Sequence, residues 1–376
     1  MQQTARLGLA WGTVALFFMF GSSWLAGPIA PTAALLLLLW LFVTMGWAAF
    51  GAIGLSDKLA ELLGEPLGSL FLTLTIICLE GVLIGIAMLT SDAGATIGRD
   101  TLFSANMIMI NFAGGLALFL GGLRHREQTH NFQGTSAFLA IVMLLSVFGF
   151  ILPNFTEAVP HGSLTTIQAI GITIVTLGIY LTFLLIQIGR HRHFFAEPDV
   201  LDGPTPQPAN TKPADTTAAA KPKPAEGQMG KLSLLLVAHI VPVLLLGKYL
   251  MILLDDTSAK LGTPPALSGI ILALIVVSPK MISAIKAGMD NQPQRAVNLA
   301  LGSCAPAMGI IFPIILGIGV VTGNTIILGA APSDVVLLAL TLGLSVVTFY
   351  GRHTTLLEGA AHLTVFFIYI LLMFSP

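Results

Sequence analysis

Apolar runs of about 20 residues, broken by Gly, Pro and charged positions, recur along almost the whole chain. A helix needs about 20 residues to cross roughly 30 Å of hydrocarbon, so each run has the length of one transmembrane span. The pattern predicts helices near 7 to 26, 32 to 56, 66 to 89, 101 to 122, 135 to 152 and 166 to 188. After a break it predicts five more, near 231 to 253, 265 to 288, 296 to 321, 332 to 350 and 354 to 374. A transmembrane β-barrel would show shorter, alternating segments. The expected fold is therefore an all-α polytopic membrane protein of about eleven spans. The first run follows Arg6 and has the outline of a signal peptide, but a second long span comes at once, so it reads as an uncleaved first helix.

The break is EPDVLDGPTPQPANTKPADTTAAAKPKPAEG, which has almost no large apolar residues and many prolines. Such a composition cannot form a packed core, and residues 197–230 read as a flexible linker. The chain then divides into a leading helix (1–31), a five-helix repeat (32–196), the linker, and a second five-helix repeat (231–376). Two sets of five spans must enter the membrane from opposite sides, which predicts an inverted repeat. GSLFLTLTIICLE, residues 68–80, lies over SGIILALIVVSPK, residues 268–280, at a constant offset of 200 with no gap. Both strings end on an ionisable residue deep in a span.

At 55% hydrophobic and 9% charged, the chain lacks the polar surface that a water-soluble globule of 376 residues needs. Its net charge of −1 carries little information, because the charges concentrate in loops. Their placement is informative. With the N-terminus in the cytoplasm, thirteen basic residues fall on the cytoplasmic side: Arg6, Lys58, Arg124, Arg126, Arg190, Arg192, Lys212, Lys221, Lys223, Lys231, Lys286, Arg295 and Arg352. Only Arg99 and Lys260 fall on the other side, and Lys248 and Lys280 lie inside spans. This asymmetry supports both the helix count and the orientation. Cys78 and Cys304 lack any disulfide or zinc-type spacing and read as helix-packing residues.

Glu80 sits among apolar and small residues in TLTIICLEGVLIGIAML. A carboxylate there costs several kcal/mol unless it is protonated, paired or bound to a cation, which marks it as a candidate cation and proton site. Lys280 follows Ser278 and Pro279, and the proline frees carbonyl oxygens beside the charge. It is either a fixed salt-bridge partner of Glu80 or half of a pair that breaks and re-forms during exchange. Asp57 is expected at the cytoplasmic end of the third helix, with Glu61 and Glu65 as solvated charges near it. Glu358 and His362, four apart in LLEGAAHLTVFF, share a helix face, as a buried pair or as part of a proton path. Ser104, Asn106, Asn111, Ser303 and Cys304 lie on the helices that follow the two charged ones, where polar groups commonly join helices.

The segments SDKLAELLGEPLGSL, LEGVLIG, GRDTLFSANMIM, DNQPQRAVNLALGS and LEGAAHL resemble the ChaA-type bacterial members of the calcium/proton antiporter family, within the calcium/cation antiporter superfamily. The likeness runs over nearly all the chain outside the linker. It implies one leading helix plus two inverted five-helix repeats, and exchange of a cation for protons at two central glutamates. Glu80 matches the first of these and would be the metal-contacting carboxylate. Asp57 matches an acidic position on the cytoplasmic side, Ser303 a polar position after the second motif, and Glu358 a carboxylate of the last helix.

Three features depart from the family pattern. Ile76-Ile77 and Val276-Val277 stand where a Gly-Asn pair precedes each central glutamate, a loss that the ChaA-type branch shares. Pro306 stands for Gln, and Lys280 for the second glutamate. A unit charge and Ca²⁺ about 5 Å apart interact by roughly 6 to 7 kcal/mol at an effective dielectric near 20, and a lysine reverses the sign. The resemblance puts Ca²⁺ first as the transported ion, and Lys280 makes Na⁺ or K⁺ the alternative. The expectation is a proton-coupled antiporter of the bacterial inner membrane, with the N-terminus cytoplasmic and the C-terminus periplasmic. Its partners are an inorganic cation, protons and the lipid bilayer, with no cofactor and no nucleic acid. No selectivity-filter sequence supports a channel, and no HExxH, GxSxG or paired catalytic aspartates support an intramembrane enzyme.

Overall fold

A computed structural model describes residues 2–25, 27, 29–64, 67–189, 192–195, 228–351 and 353–375. Among the described residues, eleven helices are long and apolar enough to cross a membrane. They are α1 (Gln3–Leu25), α2 (Pro31–Leu63), α3 (Leu70–Thr90), α4 (Ile97–His125), α5 (Phe132–Phe155), α6 (Thr166–Ile188), α7 (Gln228–Leu261), α8 (Ala266–Met289), α9 (Pro293–Thr322), α10 (Pro332–Tyr350) and α11 (Leu356–Phe374). The eleven expected spans are all present. The protein is an all-α polytopic membrane protein, apart from one short ladder in which β1 (Gln128–Thr129) pairs antiparallel with β2 (His353–Thr354).

Several helices outrun their apolar cores. α2 continues through SDKLAELL, so Asp57 and Glu61 belong to its last turns and not to the start of the third helix, as the sequence suggested. α7 runs from Gln228 to Leu261 where residues 231 to 253 were expected, so the last three residues of the expected linker are already helical. The reason is common to both: an amphipathic extension leaves the hydrocarbon yet keeps its backbone bonds, and an apolar-run criterion stops too early. Residues 197–227 of the linker, with Lys212, Lys221 and Lys223, lie outside the described residues, as do Glu65, Arg190 and Arg352.

The helices that follow the two charged ones, α4 and α9, share a local irregularity. Each carries a π-helical segment, Met107–Gly114 and Ala307–Ile311, and these begin 200 residues apart. A π segment widens the turn and loosens the backbone ladder, and such segments cluster at functional sites. Small residues let backbones approach where lipid supplies no hydrophobic drive between helices. Gly122 of α4 abuts the backbone of Leu356, and Gly359 of α11 abuts that of Phe119. Side chains join the two halves of the chain too: Gln128 donates to Gly288 O at 2.9 Å, and the Asn131 amide to Gln294 Oε1 at 2.7 Å.

Candidate functional site

Glu80 lies mid-helix on α3 and is 3% exposed. Lys280 lies mid-helix on α8 and is half-buried. Both line one cavity of about 280 Å³, whose wall also includes Ile76 and Ile77 of α3, Pro279 of α8, and Ser303, Pro306 and Ala307 of α9. Asp57, Gln187 and Arg295 line it as well, and they sit near the ends of α2, α6 and α9. The cavity thus runs from the basic end of the bundle to the two charges at its middle.

Pro279 shapes this floor. Having no N–H, it leaves the carbonyl of Ile275 without its helical donor, and the hydroxyl of Ser278 turns back onto that oxygen at 3.4 Å. The carbonyl of Pro279 itself accepts from Ser283 at 2.9 Å. Glu80 and Lys280 share the cavity without closing an ion pair. At the other end of the bundle ion pairs do close, Arg99 with Asp100 and Lys260 with Asp256.

Of the residues singled out by sequence, Glu80, Lys280, Asp57 and Ser303 meet at this cavity. Ser303 is 8% exposed and donates to Ala300 O at 3.0 Å. The others are placed elsewhere. Glu358 forms a capping box at the start of α11, where its Oε2 accepts from Thr355 N at 2.8 Å and from Thr355 Oγ1 at 2.6 Å. Its i, i+4 neighbour His362 turns instead to Asn111, with Nδ1 2.9 Å from Asn111 Oδ1, and to Thr348, with Nε2 3.2 Å from Oγ1. Asn111 then donates to Thr341 at 2.8 Å. This chain of polar groups ties α4, α10 and α11 together. Ser104 bonds Tyr369 at 2.8 Å, and Asn106 donates to the sulfur of Met308 at 3.2 Å.

Five polar lining residues were not singled out as site candidates by sequence: Thr73, Gln187, Ser283, Arg295 and Asn298. Two had a usable signal. Thr73 stands seven residues before Glu80 and Ser283 three after Lys280, spacings that put each on the same helix face as the charge. Among the described residues no three His, Cys, Asp or Glu side chains converge in a metal-binding group. The cavity wall therefore offers one carboxylate at the floor, one toward the mouth, and hydroxyl groups besides.

Beyond the two charges the helix packing is tight, and a separate cavity of about 380 Å³, lined by Ser91, Asp92, Thr322 and Asn324 among others, lies at the end opposite Asp57. Leu79, Leu83, Ile84, Ile275 and Val276 are each at most 2% exposed. Gly247 of α7 lies against Leu83, and a β-carbon at Gly269 of α8 would meet the backbone of Asp100 at 2.8 Å. Two ionisable side chains in the middle of apolar helices, sharing one cavity that runs to one end of the bundle, are an arrangement suited to a secondary transporter.

The chain belongs to the sodium/calcium exchanger protein family, which matches residues 33–189 and 231–375. It is thus a membrane cation exchanger, a transporter and not an enzyme. It is 33% identical over 349 residues to the putative ionic transporter y4hA of Sinorhizobium fredii, covering 93% of this chain and 91% of that protein. It is 30% identical over 360 residues to the sodium-potassium/proton antiporter ChaA of Escherichia coli, covering 96% and 93%. Its fold matches native YfkE, a protein described as a Ca²⁺/H⁺ antiporter, at a TM-score of 0.73 with 17% identity and 98% of each chain covered.

Proposed function

We propose that this exchanger moves a monovalent cation, Na⁺ or K⁺, against protons, with Glu80 carrying either a proton or a share of the cation. The observation that carries this reading is the presence of Lys280 in the same cavity as Glu80. The cavity wall holds two acidic side chains, Asp57 and Glu80, and two basic ones, Lys280 and Arg295, so its formal charges cancel. A neutral site has little to offset the dehydration of a divalent ion, whereas a monovalent ion needs only one carboxylate and neutral oxygens. The Escherichia coli relative, a sodium-potassium/proton antiporter, agrees with this choice.

In this scheme Lys280 and the arriving cation compete for Glu80. Cation binding displaces the ammonium from the carboxylate, and proton binding to Glu80 releases the cation. The two five-helix repeats then exchange which end is open. The basic end faces the cytoplasm of a bacterial inner membrane, in line with the positive-inside bias, so proton entry drives cation export. Ca²⁺ is the second reading, supported by the family's description and by the pair of carboxylates on one cavity wall.

Proton flux in proteoliposomes, with Na⁺, K⁺ and Ca²⁺ compared in turn, decides between the two. The monovalent reading expects half-maximal flux at lower Na⁺ or K⁺ than Ca²⁺. The reverse order would establish the Ca²⁺ reading, and no cation-dependent proton flux at all would remove proton coupling from the scheme.

A further inference from the structure

The cavity that holds Glu80 and the cavity at the opposite end draw their walls from the same two helices. Ile76 and Glu80 of α3 and Ser303 and Pro306 of α9 line the first, and Met88 and Leu89 of α3 and Ile318 and Thr322 of α9 line the second. One seam between α3 and α9 therefore widens toward both ends. From Glu80 to Met88 it runs for about 12 Å of helix, and there it is pinched. A β-carbon at Gly81 would lie 3.1 Å from Ile314 Cδ1, and one at Gly85 would lie 3.2 Å from Ile318 Cδ1, so each isoleucine sits directly on a glycine. Ile315, fully buried beside them, packs in the same way on Gly98 of α4.

The pinch differs from the cavities in chemistry as well as in width. No side chain from 81 to 87 on α3, or from 308 to 321 on α9, carries an oxygen or a nitrogen. Polar side chains line the seam again only beyond it, at Ser91, Asp92 and Thr322. A cation leaving Glu80 in this direction has no oxygen ligand to step to, and an apolar constriction of that kind bars ions by excluding their water. The barrier is also built to move. The isoleucines ride on a segment of α9 that begins past the π-helical turn Ala307–Ile311 and Pro313, where the backbone ladder is weakest. The glycines give α3 a smooth face, so this end of α9 can tilt away without unthreading interlocked side chains.

We propose that the α3–α9 seam is the far half of the cation's path, with the cavity at Ser91 and Asp92 as its outer vestibule and Ile318, flanked by Ile314, as the apolar plug between the two. The proposal rests on reading the Glu80 cavity as the ion site. Ile318 holds no ion; it acts by closing the seam, and tilting the end of α9 opens it.

A thiol on the Glu80 face of α3 tests the plug, in a chain carrying Cys78→Ala, Cys304→Ser and Ile76→Cys. Silver ion, a thiol-seeking monovalent cation, is added outside chloride-free membrane vesicles, of the polarity in which the parent thiol is captured more slowly. The thiol still reactive to maleimide after solubilisation gives the capture rate. Ile318→Ala is expected to speed capture by about tenfold or more, and Ile318→Val by much less, in the order of the volume removed. Thr322→Trp, which fills the vestibule, is expected to return the Ile318→Ala chain toward the parent rate. Leu316→Ala trims a side chain that is 6% exposed on the same helix but borders a different cavity, and it should leave the rate within about twofold. Equal capture from both sides in the parent would overturn the plug, and so would an unchanged rate in Ile318→Ala or an equal rise in Leu316→Ala, which is general loosening. No slowing by Thr322→Trp would place the route elsewhere. The readout requires no transport, so a reversed ion preference or absent proton coupling in the flux assay leaves the plug standing, and a failed plug leaves the ion site standing.

Discussion

At its basic end the bundle leaves about 280 Å³ of cavity between α2, α3, α8 and α9, with Glu80 and Lys280 in its wall, whereas the cavity of about 380 Å³ at the opposite end, beside the α3–α4 turn, has neither charge in its wall. The chemistry of the two ends differs as much as the space. The open end carries Asp57, Arg295, Ser283 and Gln187 on the cavity wall. The opposite end pairs Arg99 with Asp100 at 2.7 Å and with Gly329 O at 2.7 Å, and holds Asp255 on the α3–α4 turn. Two sets of five helices with matched π segments could have produced two equal ends. The two ends differ in which cavity reaches the two charges, and that is a conformational choice of the helix packing. Such choices are worth a few kcal/mol, small enough for ion binding to reverse.

The harshest test of this contrast is to silence the floor on which the open end converges. Glu80→Gln keeps the shape of the side chain and removes its titration. Proton-coupled flux should fall by about a hundredfold or more, since removing a full charge-assisted interaction at a buried ionic group costs about 3 kcal/mol or more. Parent-level coupling in the variant would show that exchange occurs elsewhere.

Lys280→Glu changes the ion while keeping the open end open. It converts a cavity of balanced charges into one with a net negative field. The apparent affinity for Ca²⁺ should rise by about tenfold or more, with Na⁺ or K⁺ gaining less, because the Coulomb energy scales with ionic charge. Titrating flux against each cation reads this directly, and an unchanged preference order would separate Lys280 from selectivity.

The mildest effect is expected at His130, in the connection between α4 and α5 at the open end. Its ring is 2% exposed and stands edge-on to Phe349 with centroids 5.3 Å apart. Burial holds this imidazole below the ordinary value of 6.5. The neutral ring therefore fits its pocket fully above about pH 6.5, and stability is lost as pH falls from there toward the lowered folded value. Hydrogen exchange at Gln128 to Asn131, corrected for the intrinsic rate, should accelerate several-fold on acidification. His130→Leu should flatten that response, and an equally steep response in the variant would place the titrating group elsewhere.

The two charges at the cavity floor were legible in the chain because an ionisable group inside an apolar run is costly wherever the helix packs. Glu80 and Lys280 needed only their neighbours in sequence to be singled out. Glu358 shows the limit of such reasoning. The same LEGAAH spacing that suggested a pair with His362 also places Glu358 three residues after Thr355, and the capping box takes the carboxylate. His362 does lie on a buried face, but its partners come from α4 and α10, at positions 111 and 348.

The number of spans, the polar break between the sixth and seventh, and the two charges at mid-membrane could all be read along the chain. Each is a sum over neighbouring residues: the length of an apolar run, the composition of a segment, the cost of one charge in hydrocarbon. Three further facts came from the packing alone: which cavity reaches the two charges, that Asp57 lines it while Asp255 is tied down, and that Thr73 and Ser283 share a wall with Glu80. They depend on how helices up to 200 residues apart cross, which no sum over sequence neighbours fixes.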